Sequence, residues 1–243
     1  MKKQMLSISL QLFCFTLCFV LCAMFLLYNG DDSIVPQQAI SVNNSKAKKT
    51  VILDAGHGGE DSGAVGLDET LEKDLNLSVC QTLSPLLICS GFDVVQTRTE
   101  DIMLGNGETG HKKQEDLRTR VDFAGSMPDA YFISIHMNKF PKEYCKGIQL
   151  FYSPNHNDSL PMATALHSLV KGYLQIDNKR EIKNGSQHIY LLNRIQNPAI
   201  LVECGFLSNP EELNNLKNID YQKKIALLIS AALQEVRQGA YSA

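Results

Sequence analysis

The 243-residue chain lacks the features that announce several common classes of protein. Cysteine is scattered: Cys14, Cys18 and Cys22 lie in one apolar N-terminal run, Cys80, Cys89, Cys145 and Cys204 are dispersed, and none forms a C-x-x-C pair. This excludes a disulfide framework, and Cys80 and Cys204, set in apolar helix and strand patterns, read as small buried hydrophobes. Positive charge is not in surplus either. The net charge is −3, or −5 once Lys2 and Lys3, the only charges of the first thirty residues, are set aside. Such a domain has no electrostatic footprint for nucleic acid. Three hydrolase and nucleotide signatures are missing: H-E-x-x-H, G-x-S-x-G and the Gly-Lys-Ser/Thr of a phosphate-binding loop. No internal repeat is visible.

What is present divides at about residue 50. Met5 to Tyr28 is an uncharged apolar run preceded by Lys2 and Lys3. As a helix it would reach about 36 Å, against roughly 30 Å for a bilayer core. Cations before the run favour an inside N-terminus and an outside C-terminus. No small-x-small cleavage site adjoins it, and Leu21 before Cys22 does not suit a lipoprotein signal. The expectation is an uncleaved N-terminal signal-anchor over 1–28, a polar tether over 29–49, an extracytoplasmic domain over 50–238 and a short tail over 239–243. The domain is long enough for one buried core without staples, so a metal found there would serve catalysis rather than folding.

Within 50–238 two periods alternate. Strands are expected at Thr50–Asp54, Phe92–Thr97, Tyr131–Ile135, Ile148–Tyr152, His188–Leu192 and Ile200–Glu203; the runs VILDA, YFISI and AILVE are apolar enough to be covered on both faces. Helical stripes run from Leu71 to Leu87, from Met162 to Leu174 and from Ile225 to Val236. Asn209-Pro210-Glu211-Glu212 spells a helix start, with Asn as cap and Pro at the first turn. The polar stretch Gly105–Glu115 reads as a long loop or insertion. The pattern predicts a single α/β domain whose mostly parallel or mixed twisted sheet of about six strands is flanked by helices.

Four residues carry the chemistry. His57 follows the strand VILDA in the Gly-rich segment LDAGHGGEDSGAVG, Glu72 opens the helix behind it, His136 ends YFISIH, and Glu203 ends AILVE. Each has an ordinary structural explanation alone. Together they gather beyond the carboxyl ends of strands, where open α/β sheets build their sites. Two His and one carboxylate with an open position make a common catalytic zinc set, leaving the second carboxylate as a general base. Spacing alone does not say which carboxylate takes which role. His111, His156, His167 and His188 fit the set less well. Arg180 and Asn138 are candidate substrate contacts.

Those residues bring the chain into resemblance with the zinc-dependent N-acetylmuramoyl-L-alanine amidases of the amidase-3 type. The carriers are VILDAGHGGEDSGAVG, Glu72 to Leu77, VVQTR at 94–98, the helix with Arg118 and Arg120, FISIHMN at 132–138 and NPAILVECGFLSNPEE at 197–212. The resemblance implies one zinc ion held by His57, Glu72 and His136, with Glu203 as catalytic acid/base. It implies hydrolysis of the amide between the lactyl group of muramic acid and the L-alanine of the peptidoglycan stem peptide. YLLNRIQNPAILVECGFLSN is most similar to the sporulation- and germination-associated CwlD-type subgroup, implying a role in cortex maturation through muramic-δ-lactam. Met137 and Asn138 depart from the small residue that relatives often carry after the histidine, which should alter pocket shape. The rival readings are a vegetative wall-remodelling amidase, a zinc peptidase of the stem peptide, and a wall-binding module without chemistry. Peptidoglycan and the membrane are the expected partners, with any accessory protein left open.

Overall fold

The structure, a computed structural model, describes residues 48–105 and 111–240. The expected membrane segment, all but the last two residues of the tether and the last residues of the tail lie outside them. Among the described residues no helix is long and apolar enough to cross a membrane.

Six strands, β1 (Thr50–Ala55), β2 (Asp93–Gln96), β3 (Tyr131–Asn138), β4 (Gln149–Tyr152), β5 (Lys183–Asn184) and β6 (Ala199–Phe206), form one sheet in the order β2-β1-β3-β6-β4-β5. β2, β1, β3 and β6 run parallel, β4 pairs antiparallel with β6, and β5 runs parallel to β4. The sheet is therefore mixed, as the alternating pattern predicts. Helices α1 (Glu72–Cys89), α3 (Ser159–Tyr173) and α6 (Ile219–Arg237) contribute to the larger core cluster, with Val51, Leu53, Ile133, Ile135 and Val202 from the sheet. On the opposite face Ile52, Phe132 and Leu201 meet Ala124 of α2 (Lys112–Gly125) and Leu191 and Leu192 of α4 (Tyr190–Arg194). A strand buried on both faces has no polar alternation to show, which is why these three strands read as continuous apolar runs. α5 (Pro210–Lys217) begins where expected: the Asn209 side chain accepts the Glu212 amide at 3.0 Å.

Several expectations need correction. His188–Leu192 is not a strand: Gly185 O accepts the amides of His188 and Ile189, and the turn leads into α4, which buries Leu191 and Leu192. Two adjacent leucines both find the core from a single helical turn, and that packing overrides local strand propensity. β5, only two residues long, was not expected. β3 continues past His136 to Asn138, and β6 past Glu203 to Phe206. The end of the Gly105–Glu115 stretch is helical from Lys112 onward; 106–110 lie outside the described residues. Cys80 and Cys204 are fully buried, and burial pushes both thiols up, away from reactivity.

α2 docks by a buried ion pair as well as by the apolar contacts of Leu117, Val121, Phe123 and Ala124. Its buried positions Asp116, Arg120 and Ala124 recur every four residues. The Arg120 guanidinium is ion-paired to Asp54 of β1 and to Asp116 (2.8 Å), and Asp54 also accepts from Thr97 (2.8 Å) and Ser134 (2.6 Å). Burial works to raise the Asp54 carboxyl, but Arg120 and the two hydroxyls overcome it and hold the group below the usual carboxylate range. Folding thus favours the ionised form. The stabilisation is fully present above the unfolded value of about 4 and fades as pH falls towards the folded one. Asp54→Asn, which leaves Arg120 partly unmatched, is expected to cost about 3–5 kcal/mol at neutral pH. Thermal melts from pH 6 to pH 3 should fall steeply for the wild type and less steeply for the variant.

Candidate metal centre

The site is built at the carboxyl ends of β1, β3 and β6. β1 stops at Ala55, and the chain turns sharply through Gly56 and His57. His57 has φ 61°, a left-handed conformation rare for a residue with a side chain. Its surroundings hold it there. Arg120 Nη2 donates to His57 O (2.9 Å), Arg98 donates to Ala55 O (2.9 Å) and Gly56 O (3.0 Å), and Gly58 and Asp61 exchange backbone hydrogen bonds. Two buried arginines, one from the loop after β2 and one from α2, therefore clamp the turn that presents one histidine. Two glycines make room for the site's side chains. A Cβ on Gly56 would lie 2.2 Å from the His136 ring, and one on Gly63, at φ 66°, would lie 2.6 Å from Glu72 Oε2.

The structure brings His57, Glu72 and His136 together: one donor atom from each lies within 4.8 Å of the others. Glu72, the first residue of α1, is buried, with Oε1 2.9 Å from His136 Nδ1 and 3.3 Å from His57 Nε2. Its carboxylate is fixed from behind by the amides of Ala64 (2.7 Å) and Met137 (3.1 Å). Burial opposes its charge, but the two imidazoles outweigh burial and hold the carboxyl well below its usual range. Burial likewise pulls the His57 imidazole down, yet Glu72 and Asp61 outweigh it and leave it above its ordinary value. Two imidazole nitrogens and a carboxylate oxygen form a donor set suited to zinc rather than to the all-oxygen shells of magnesium or calcium.

Glu203 lies one strand over, in register with His136. Its Oε2 is buried and has no hydrogen-bond partner among the described residues. Burial, reinforced by the charge of Glu72 and opposed by the two histidines, pushes this carboxyl up to about 7. The remaining histidines stand apart from the cluster: His156 Nδ1 accepts the Asp158 amide, and His167 Nε2 pairs with Arg180 O. The Met137 side chain is buried in the larger core cluster, and its amide donates to Glu72. Asn138 is half-buried, and its carbonyl accepts the Leu207 amide. Arg180 lies beyond β6 and stacks on the Phe206 ring.

Sequence reasoning assigned no part to Asp61, although it stands four residues after His57. The Gly58–Asp61 bridge folds the loop back so that Asp61 Oδ2 meets His57 Nδ1 at 2.8 Å. A proton on Nδ1 directed at a carboxylate leaves Nε2, the nitrogen facing Glu72, with its lone pair free for a metal. Asp61→Asn is expected to weaken metal binding by about 10–100-fold, measured by competition with a chromogenic chelator.

Comparison with known proteins agrees with this architecture. Residues 51–235 match the family model described as N-acetylmuramoyl-L-alanine amidase. The chain is 36% identical over 187 residues to the germination-specific N-acetylmuramoyl-L-alanine amidase of Bacillus subtilis, covering 73% of this chain and 75% of that one. Among solved structures it is similar to the CwlD amidase of Clostridioides difficile in complex with the GerS lipoprotein. That likeness has 38% identity and a TM-score of 0.75, over 79% of this chain and all of the other. The catalytic domain of CwlV from Bacillus (Paenibacillus) polymyxa superposes with a TM-score of 0.66 at 29% identity, over 78% and 98% of the two chains.

Proposed function

The chain belongs to the N-acetylmuramoyl-L-alanine amidase family, and from that premise we propose that His57, Glu72 and His136 hold one zinc ion while Glu203 handles the proton. The reaction is hydrolysis of the amide between the lactyl group of N-acetylmuramic acid and L-alanine. The observation that carries the proposal is the convergence of the three donor groups one strand from Glu203, whose buried Oε2 has no hydrogen-bond partner among the described residues.

When bound, zinc supplies Lewis acidity, lowering the pKa of water and polarising a carbonyl. The chain's own residues do the rest. Asp61 and the arginine clamp set the His57 ring, and the Ala64 and Met137 amides fix the Glu72 carboxylate, so the donor set is in place before substrate arrives. Glu203 Oε2 takes the proton of the attacking water and passes it to the departing alanine nitrogen. Burial raises this carboxyl in the metal-free protein, and a neighbouring cation would favour its ionised form, the one that accepts the proton. In the metal-free protein, infrared difference spectra should show a carboxyl band titrating near 7 that vanishes in Glu203→Gln; the neighbouring cation should move it to lower pH.

The relatives favour the cell wall outside the cytoplasm as the place of action, and the similarity to a germination-specific amidase favours cortex peptidoglycan over the vegetative wall. The apolar run 5–28 would serve as a membrane anchor for this placement. A relative solved with a lipoprotein bound supports an accessory protein here as well. Incubating the zinc-loaded protein with cortex and vegetative peptidoglycan in parallel tests the substrate: faster release from cortex material supports this reading, and faster release from vegetative wall overturns it.

A further inference from the structure

α1 carries a polar residue where its apolar stripe calls for a hydrophobic one. Leu75, Val79, Leu83 and Leu87 form the buried row, and Asn76 stands among them, one turn after Glu72. Residues four apart on a helix lie over one another on the same face, which sets the Asn76 amide beside the Glu72 carboxylate. Asn76 is fully buried. The chemistry described so far gives it no part.

The two ends of that amide meet unlike surroundings. Nδ2 donates to Gly56 O at 3.0 Å and reaches Glu72 Oε1 at 3.5 Å, the outer edge of hydrogen-bond range. Oδ1 is buried and has no hydrogen-bond partner among the described residues. Turning the amide over would not relieve it. An oxygen would then face two oxygens, and the NH2 group would take the place without an acceptor. The nitrogen therefore fixes the orientation. A buried acceptor left unpaired costs stability, which an apolar side chain of similar size would avoid. Nor does Gly56 O depend on Asn76, because Arg98 Nη2 also donates to it at 3.0 Å. Fold stability alone does not account for an asparagine here.

The two groups that Nδ2 joins give the reason. Gly56 immediately precedes His57 in the turn that presents its imidazole. Glu72 Oε1 is the carboxylate oxygen within reach of both imidazoles, 3.3 Å from His57 Nε2 and 2.9 Å from His136 Nδ1. The Met137 amide holds the same oxygen from β3 at 3.1 Å. One buried amide thus touches the carriers of two of the three converging donors.

We propose that Asn76 is a positioning residue of the metal centre, tying the His57 turn to the Glu72 carboxylate so that two of the three donors keep a fixed separation. The inference rests on the reading of His57, Glu72 and His136 as zinc ligands. Asn76 gives no atom to the metal and acts only through the turn and the carboxylate. Partners of this outer kind are worth about 10–100-fold in metal affinity.

The test separates metal affinity from stability in the full-length protein. Asn76→Leu removes the amide at similar size, and Asn76→Ala removes it without crowding the core, so either variant that folds decides the matter. Zinc affinity, measured by competition with a chromogenic chelator, is expected to fall about tenfold or more in both. The metal-free melt of Asn76→Leu should stay at or above that of the wild type, because the unpaired oxygen leaves with the amide. Cys80, one turn further along the same row and fully buried, supplies the control. Cys80→Ala should melt lower and still bind zinc within about twofold of the wild type. If the Asn76 variants also bind zinc within about twofold, or lose no more affinity than Cys80→Ala, Asn76 only fills the core. The inference is then overturned while the zinc reading stands. A wild type that binds no zinc overturns the zinc reading and this inference with it.

Discussion

Glu203→Gln is expected to keep its metal and to lose between about 10² and 10⁴ in turnover, the usual worth of a positioned acid/base. The two halves of that result come from different observations. Glu203 is not among the three residues whose donor atoms converge, so its amide replacement leaves the donor set intact. Its Oε2 is buried without a hydrogen-bond partner among the described residues, so no structural contact of that atom is lost with it. A carboxylate in that position costs the fold free energy, because burial disfavours its charge. The variant should therefore melt no lower than the wild type, and slightly higher is the expected direction. Metal content by mass spectrometry, turnover on muropeptides and a thermal melt of one preparation check the three parts. A variant that lost its metal would exchange the roles proposed for the two glutamates.

Glu72 should behave in the opposite way. Glu72→Ala removes one of the three converging donors, so metal binding is expected to fall further than the roughly 10–100-fold that follows loss of an outer-shell partner. It also leaves the amides of Ala64 and Met137 without their acceptor, at about 1–3 kcal/mol for each buried group. Loss of activity, metal and stability should come together. Glu72→Gln separates the causes, since its side-chain oxygen can still accept one of those amides. Its melt should recover part of the lost stability while its zinc affinity stays low. Zinc titration followed by a competing chelator, together with urea unfolding of the metal-free variants, measures both.

The contrast between these glutamates bears on how far the site could be read from the sequence. His57, His136 and Glu203 are legible because each follows an apolar strand run, and Glu72 because it opens the helix behind the first. The structure brings His57, Glu72 and His136 together and sets Glu203 in register with His136 on the next strand. Spacing could not separate the carboxylates, because the difference lies in their surroundings. Glu72 is fixed by two backbone amides and two imidazoles, and Glu203 by none of these. β1, β3 and β6 were legible as doubly covered strands, and α1, α3 and α6 as apolar stripes. α2 gave only a short stripe, Leu117, Val121 and Ala124, because two of its three fully buried positions are the charged Asp116 and Arg120. Periodicity of apolar residues does not report the ion pair through which part of that face docks. The strand extensions past His136 and Glu203 were hidden for a related reason: pattern reading stops at a polar residue, whereas the ladder continues through it. Asp61 and the Arg98–Arg120 clamp act through a tight turn with a left-handed histidine, a conformation that sequence periods do not encode.

The central claim is that this constellation cleaves the lactyl–alanine amide and needs its metal to do so. Mass analysis of the muropeptides released by chelator-stripped protein and by the same protein restored with zinc tests it directly. The account predicts release only after zinc is restored, with L-alanine at the new N-terminus of every freed peptide. A new N-terminus inside the stem peptide, or equal release by the stripped protein, would contradict it.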